Sequence, residues 1–259
     1  MKPARLLLSF DIEEFDLPQE FGREIAPGRK FAVSRGGTLR ILDTVEAAGV
    51  RATFFVTGNF AEANPDLIRR MVDGGHEIAS HGMDHSSFRT EDLAASKAVL
   101  ERVSGQAVTG FRMARLAPVA KEDILAAGYA YESSLNPVWL PGRYCNLGKP
   151  LKPFTEACGL RQFPVSALPL VRFPLFWLSF KNLPLGLYEF LCGCAVRLTG
   201  YYNMYSHPWE YSEESRAEEW GIPGYITHHA GAENASRLAH LLAFLKKRGE
   251  FLTFREYSV

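Results

Sequence analysis

Apolar positions along the chain fall into short continuous runs separated by longer stretches with helical spacing. Leu6-Leu7-Leu8-Ser9-Phe10 reads as a buried first strand. Leu39, Leu42 and Val45 recur at helical intervals, and Gly49 follows where a C-terminal cap belongs. Ala52-Thr53-Phe54-Phe55-Val56 is the next strand. Asn64-Pro65, a cap residue followed by proline at the first helical position, opens a helix with Leu67, Ile68, Met71 and Val72 on its buried face. Gly74-Gly75 ends it, and His76-Glu77-Ile78-Ala79-Ser80 reads as a third strand. Thr90 caps a helix running to about Val103, and Lys121 to Ala127 is a short helix closed by Gly128. Late in the chain, Leu238, Leu241, Leu242 and Leu245 mark a helix and Phe251-Leu252-Thr253-Phe254 a final strand. This alternation predicts an α/β fold, a parallel sheet joined by right-handed crossovers. A barrel and an open doubly wound sheet fit the pattern equally. In both, the loops after the strand C-terminal ends carry the chemistry, which is where Asp11 and His81 fall.

At 259 residues the chain has room for one large domain, taken as 1–259, and little for a second. Lys+Arg and Asp+Glu both number 29, so no net charge draws the chain to nucleic acid or to an anionic membrane. An apolar share of 47% against 22% charged excludes disorder, collagen and coiled coil. Cys145, Cys158, Cys192 and Cys194 are too few to staple a chain this long and read as reduced thiols. The first apolar run stops at Asp11, short of a signal-peptide core. Residues 163–191 are strongly apolar but broken by Arg172, Lys181 and four prolines, so they do not span a bilayer. That segment reads as an irregular core insertion, with a lid, a dimer face or a membrane-surface contact as the alternatives. A cytoplasmic location is the resulting expectation.

Ser9-Phe10-Asp11-Ile12-Glu13-Glu14-Phe15-Asp16 places four acids within six residues just past the first strand. In extended backbone Asp11 and Glu13 point the same way. Such a concentration is costly unless a cation or a shared proton relieves it. Ser80-His81-Gly82-Met83-Asp84-His85 supplies two imidazoles four apart, on a tight loop or single turn because of Gly82. Two neutral imidazoles and one carboxylate, Glu13 or Asp11, make the ligand set of a catalytic zinc that keeps a position open for water.

Five motifs in order from Leu7 onward resemble those of the polysaccharide deacetylase family, the NodB-homology carbohydrate esterases. The resemblance implies a distorted (β/α) barrel. It makes Asp11 the catalytic base and Glu13, in place of the usual Asp, the metal carboxylate beside the expected ligands His81 and His85. Phe111-Arg112-Met113-Ala114 resembles the third motif, with Arg112 holding Asp11 and Ala114 replacing a proline. Tyr131-Glu132-Ser133-Ser134-Leu135-Asn136-Pro137 resembles the fourth, a groove wall that brings in Ser133 and Pro137. Met204-Tyr205-Ser206-His207-Pro208-Trp209-Glu210 resembles the fifth, as found in the branch associated with bacterial exopolysaccharide systems. By that match His207 is the general acid and Tyr205 lines the acetyl pocket.

Trp139, Trp209 and Trp220 are candidates for stacking on sugar rings, although core packing is the commoner use of tryptophan. His228 and His229 stand between groove wall and ordinary surface, His76 reads as a turn or supporting residue, and His240 as structural. The expected activity is therefore removal of an N-acetyl group from an amino sugar in a glycan or glycan precursor, with Zn2+ or another divalent transition metal as cofactor. The alternatives are an amidase of the same fold acting on a cyclic imide or ureide, and a non-catalytic glycan binder suggested by Glu13, Glu132 and Ala114.

Overall fold

The computed structural model describes residues 3–258. Its axis is β1, Ala4–Ile12, which pairs in parallel along one edge with Tyr201–Ser206. The other edge is shared end to end. Gly249–Leu252 pairs with Ala4 to Leu7, and β2, Thr53–Val56, pairs with Ser9 to Ile12. The parallel order continues through β3, Glu77–Ser80, β4, Gly110–Phe111, and β5, Tyr131–Glu132, to Arg161–Gln162, with Phe154–Thr155 antiparallel at the rim. Beyond Gln162 the chain crosses back to Tyr201–Ser206. The Ser166 N–H donates to the Asn203 carbonyl at 2.9 Å, and the Asn203 N–H donates to Ser166 Oγ at 2.8 Å. The nine-stranded sheet is thus curled into a distorted barrel and is not an open doubly wound sheet.

The period-two alternation of β1 sorts its side chains. Leu6, Leu8, Phe10 and Ile12 face outward onto the helices with Phe54, Val56 and Ile78. Leu7, Ser9 and Asp11 face inward. Helices Pro27–Ala48, Pro65–Asp73, Glu91–Ser104, Leu185–Thr199 and Ala232–Lys246 cover the outer face through residues such as Ile41, Ile68, Leu100 and Leu241. Each fully buried side chain of this kind contributes about 1.5–3 kcal/mol. Inside, Leu7, Phe55, Tyr131, Phe163, Tyr201 and Phe254 fill the floor beneath the mouth at the strand C-terminal ends.

Three local readings are corrected. The final strand is Gly249–Leu252, and Phe254 opens a short helix instead. The reason is a capping box: Glu256 accepts from the Thr253 N–H at 2.8 Å, and Thr253 Oγ1 accepts from the Glu256 N–H at 3.2 Å. Neither Asn64 nor Thr90 caps through its side chain; the Asn64 amide donates instead to the Phe60 carbonyl. The sequence pattern also passed over helix Leu185–Thr199 and strand Tyr201–Ser206. That strand is buried throughout and so carries no polar alternation to reveal it. Among the described residues, no helix is long and apolar enough to cross a membrane.

Helix Pro27–Ala48 lies so close to the loop after His207 that a Cβ on Gly37 would meet the Pro208 carbonyl oxygen at 1.8 Å, whereas one on Gly36 would meet nothing within 4 Å. Gly37→Ala is therefore expected to lower stability by about 1–3 kcal/mol through overpacking. Gly36→Ala should raise it by up to about 1 kcal/mol through helix propensity. Thermal unfolding of the two variants checks the pair; equal shifts would mean that the helix does not press on the Pro208 loop.

Candidate active site

Asp11 ends the inward row of β1, His81 follows β3, Arg112 follows β4, and His207 follows Tyr201–Ser206. Parallel strands deliver all four to one mouth, where they surround a cavity of about 430 Å³, except Arg112, which lies wholly buried beneath it. Arg112 spends its donors on a closed set of partners. Nη1 donates to Asp11 Oδ1 and Ser9 Oγ, Nη2 to Ser133 Oγ, and Nε to the Ser133 carbonyl. Its guanidinium also lies 4.0 Å from the Phe55 ring centroid. A buried charge needs such complete pairing. The consequence is an Asp11 carboxylate held fixed in the wall of the cavity.

Beside it, Glu13 Oε2 stands 3.3 Å from His81 Nε2 and 3.1 Å from His85 Nε2, with all three residues buried. The far nitrogens are already committed. His81 Nδ1 donates to the Arg112 carbonyl at 2.9 Å, and His85 Nδ1 to Asp16 at 2.8 and 2.9 Å. Glu13 Oε1 accepts the Trp209 indole N–H at 3.2 Å, which leaves Oε2 without a hydrogen-bond partner. Three ligand atoms therefore converge within 4.8 Å of one another and need a positive charge between them. Burial alone would raise the Glu13 carboxyl, but the His85, His207 and His81 imidazoles outweigh it and bring it down to about 2. Burial likewise opposes a charge on His85, yet Glu13 and Asp16 lift it to about 9. In the ion-free chain that charge is a proton. The donor set, two Nε2 atoms with oxygen-bonded Nδ1–H groups and one carboxylate, equally fits a divalent metal ion.

His207 faces the same cavity, stacked on Trp209 at 5.1 Å between centroids. Glu210 Oε1 accepts from both the His207 backbone N–H at 2.8 Å and its Nδ1–H at 2.9 Å, which leaves Nε2 for the cavity. Glu210 Oε2 lies 3.5 Å from Lys181 Nζ, and both side chains are 0% exposed. Burial disfavours the charge on His207, but Glu13, Glu210 and Asp11 together raise its pKa.

Several expected contacts are not where the sequence placed them. Ser133 is fully buried and ties Arg112 to the Phe163 carbonyl, so it supports the site from below and does not face substrate. Pro137 packs away from the cavity, its carbonyl taken by Arg172. His228 is exposed against His229, and its neighbours Tyr225 and Ile226 reach the wall instead. Tyr205 does line the cavity, as does Trp209, whose indole N–H serves Glu13. Trp220 packs in a small core with Phe15, and Trp139 is exposed. His76 is buried and accepts the Ala52 N–H, and His240 sits on a helix surface. Sequence reading assigned no role to Asp16, Arg115, Trp177, Lys181 or Glu210, all of which the fold brings to the site. Asp16 and Glu210 lay inside recognised motifs; Lys181 and Trp177 arrive from 163–191, whose inner part therefore builds the site.

Residues 32–127 match the sequence profile of the polysaccharide deacetylase family. Over that stretch the chain is similar to the polysaccharide deacetylases. A chitooligosaccharide deacetylase from Sinorhizobium fredii is 42% identical over 77 residues, 30% of this chain and 34% of that protein. The aligned stretches span about a third or less of the curated relatives' own length. Two solved structures share the fold over nearly the whole chain. Puue allantoinase superposes at TM-score 0.63 with 16% identity, covering 95% of this chain and 85% of that one. A family 4 acetyl xylan esterase from Clostridium thermocellum, crystallised with cobalt, gives 0.52 with 17% identity, covering 97% and 89%.

Two predictions follow the electrostatics. Because His85 holds its proton more tightly folded than unfolded, its contribution to ion-free stability is full below pH ~6.5 and lost as pH rises through about 9. That of Glu13 is full above pH ~4.5 and fades toward about 2. Metal must displace the His85 proton, so the zinc-induced rise in Tm should be small near pH 6 and grow toward pH 9. A rise independent of pH would place the ion elsewhere. The second concerns His207, which Asp11, Glu13, Glu210 and, through Glu210, Lys181 surround. Glu210→Gln should lower its pKa and Lys181→Met should raise it, read by nitrogen-15 NMR of the zinc-loaded protein. Shifts of the same sign would break the proposed chain of charges.

Proposed function

We propose that this chain is a metal-dependent hydrolase that removes the N-acetyl group from an amino sugar of a glycan. The observation that carries the reading is the convergence of Glu13 Oε2, His81 Nε2 and His85 Nε2 beside an Arg-paired aspartate and an imidazole facing the same cavity. Zn2+ is the favoured ion for two imidazoles and a carboxylate. When bound, such an ion polarises the amide carbonyl and lowers the pKa of water toward ~7.

The chain's own residues supply the rest. Asp11 accepts a proton from the attacking water, and Arg112 keeps it fixed in orientation. His207 presents Nε2 to the cavity and gives its proton to the departing amine, so the products are acetate and a free amino sugar. Asp16 and the Arg112 carbonyl hold the two ligand imidazoles in one tautomer. Phe176, Trp177 and Tyr205 give the cavity an apolar wall suited to the acetyl methyl group.

The allantoinase likeness keeps a second reading in view, hydrolysis of a cyclic ureide by the same residues. Acetate release from chito-oligosaccharides, set against turnover of allantoin and cyclic imides, separates the two. His81→Ala should lose both zinc and turnover. Asp11→Asn should keep zinc while kcat falls by about 10²–10⁴. Full activity in chelator-stripped protein, or in Asp11→Asn, overturns the reading.

A further inference from the structure

Two hairpins lie apart from the nine-stranded sheet. In one, Trp139–Leu140 pairs antiparallel with Tyr144–Cys145, and in the other Ala167–Leu168 pairs with Phe173–Pro174. Arg172 ties them together: its Nη1 donates to the Pro137 carbonyl at 3.1 Å and to the Lys149 carbonyl at 2.8 Å. The first hairpin also reaches the catalytic cavity. Its Arg143 and Tyr144, with Arg115 and Leu116, form the wall between that cavity and a neighbouring one of about 560 Å³. The joined hairpins thus make one rim beside the mouth.

This rim collects apolar side chains that the fold does not bury. Trp139 is 62% exposed, Leu147 44%, Leu170 96% and Val171 70%, half of the eight large apolar side chains exposed among the described residues. The tip that carries two of them is strained. Leu170 and Arg172 adopt φ of 71° and 53°, left-handed values that such side chains rarely take. Strain of this kind persists only where neighbours fix it, and the two Arg172 hydrogen bonds do so, with Leu170 and Val171 kept outward.

The rim is also cationic, although the whole chain is neutral. Between Pro137 and Pro174 stand Arg143, Lys149, Lys152, Arg161 and Arg172, against one acid, Glu156. Arg161 is taken up by the Phe163 and Tyr257 rings. The other four make no ion pair among the described residues, whereas Arg29, Arg35, Arg40 and Arg70 elsewhere on the surface all do. Apolar tips set among unpaired cations match a bilayer with anionic headgroups. Such headgroups neutralise Lys and Arg, Trp sits at their level, and Leu and Val reach the acyl boundary. A second copy of this face fits poorly, because a two-fold contact sets cations against cations. Nucleic acid gains nothing from Leu and Val, which offer bases no stacking surface. We propose that this rim docks the protein on an anionic lipid surface, with the catalytic mouth beside the bilayer. The proposal does not depend on the hydrolase reading.

The full chain is co-sedimented with vesicles of phosphatidylcholine alone and with vesicles containing about 30% phosphatidylglycerol. Binding to the anionic vesicles is expected to be stronger by about tenfold or more, and to fall away in about 0.5 M salt. Leu170→Ser combined with Val171→Ser should weaken it about tenfold at unchanged Tm, because both side chains lie in solvent. Lys149→Gln and Lys152→Gln, which alter only exposed side chains, should each weaken it about fivefold. The fluorescence of exposed Trp139 should shift to the blue on the anionic vesicles, and Trp139→Phe should abolish that shift. Equal binding to the two kinds of vesicle, no binding to either, or binding that survives the serine substitutions overturns the proposal. So does soluble polyglutamate that competes as strongly as the vesicles, which would mean an acidic protein partner in place of a bilayer.

Discussion

Three electron pairs aimed at one point, from Glu13, His81 and His85, set the terms for everything around them. Such an arrangement is repulsive unless a positive charge sits between them, and burial denies them water as a substitute. The surrounding structure is arranged to keep the electron pairs there. The carbonyl of Arg112 and the carboxylate of Asp16 take the far protons of the imidazoles, and the Trp209 indole takes the other oxygen of Glu13. Remove any of these and a ring can rotate or a carboxylate can turn to find a partner of its own. Glu13 has a longer reach than an aspartate would, and Trp209 shows how the extra methylene is restrained.

The same economy governs the two groups we propose to move protons. Asp11 and His207 are tied by their backs to buried partners of opposite charge, Arg112 and Glu210, and each of those partners is anchored in turn. For Arg112 the anchors are Ser9 and Ser133, which explains why a residue expected to touch substrate is instead buried below the site. For Glu210 the anchor is Lys181. The apolar segment 163–191 thereby acquires a double role. Ser166 within it links the ends of the curled sheet, and Trp177 and Lys181 sit against the acid side of the cavity. Its tip, with Leu170 96% and Val171 70% exposed, takes no part in this.

How much of this the sequence displayed depends on the range of the interaction. The early strands and helices were legible because burial on one face imprints a period on the residues themselves, as in Leu67, Ile68 and Met71. The imidazole pair was legible because its spacing, four residues around a tight loop, is local geometry; the choice of Glu13 over Asp11 came from the resemblance. The partners behind them were not. Asp16 reaches His85 across 69 residues, and nothing near either position announces the other. Tyr201–Ser206 hid for the opposite reason, since a strand buried on both faces has no polar alternation. The short helix at Phe254 was available in principle, as Thr253 and Glu256 form a capping box that an apolar run concealed.

One departure from the motif that 111–114 resembles takes its meaning from the backbone. Ala114 stands where a proline was expected, and the two residues after it, Arg115 and Leu116, adopt φ of 56° and 53°. Left-handed conformations in such side chains are strained, and strain persists only where neighbours over-determine it. Arg115 supplies that hold: it donates to Glu20 at 2.7 Å, to the His85 carbonyl at 3.0 Å and to Asp16 at 3.4 Å. The same contacts that keep the loop strained also brace the His85 loop and the carboxylate behind it. The strained turn in exchange places Arg115 and Leu116 in the wall between the two cavities. The orientation of the His85 imidazole and the wall between the two cavities are therefore consequences of a single restrained loop. A change that relaxes Arg115 must alter both together.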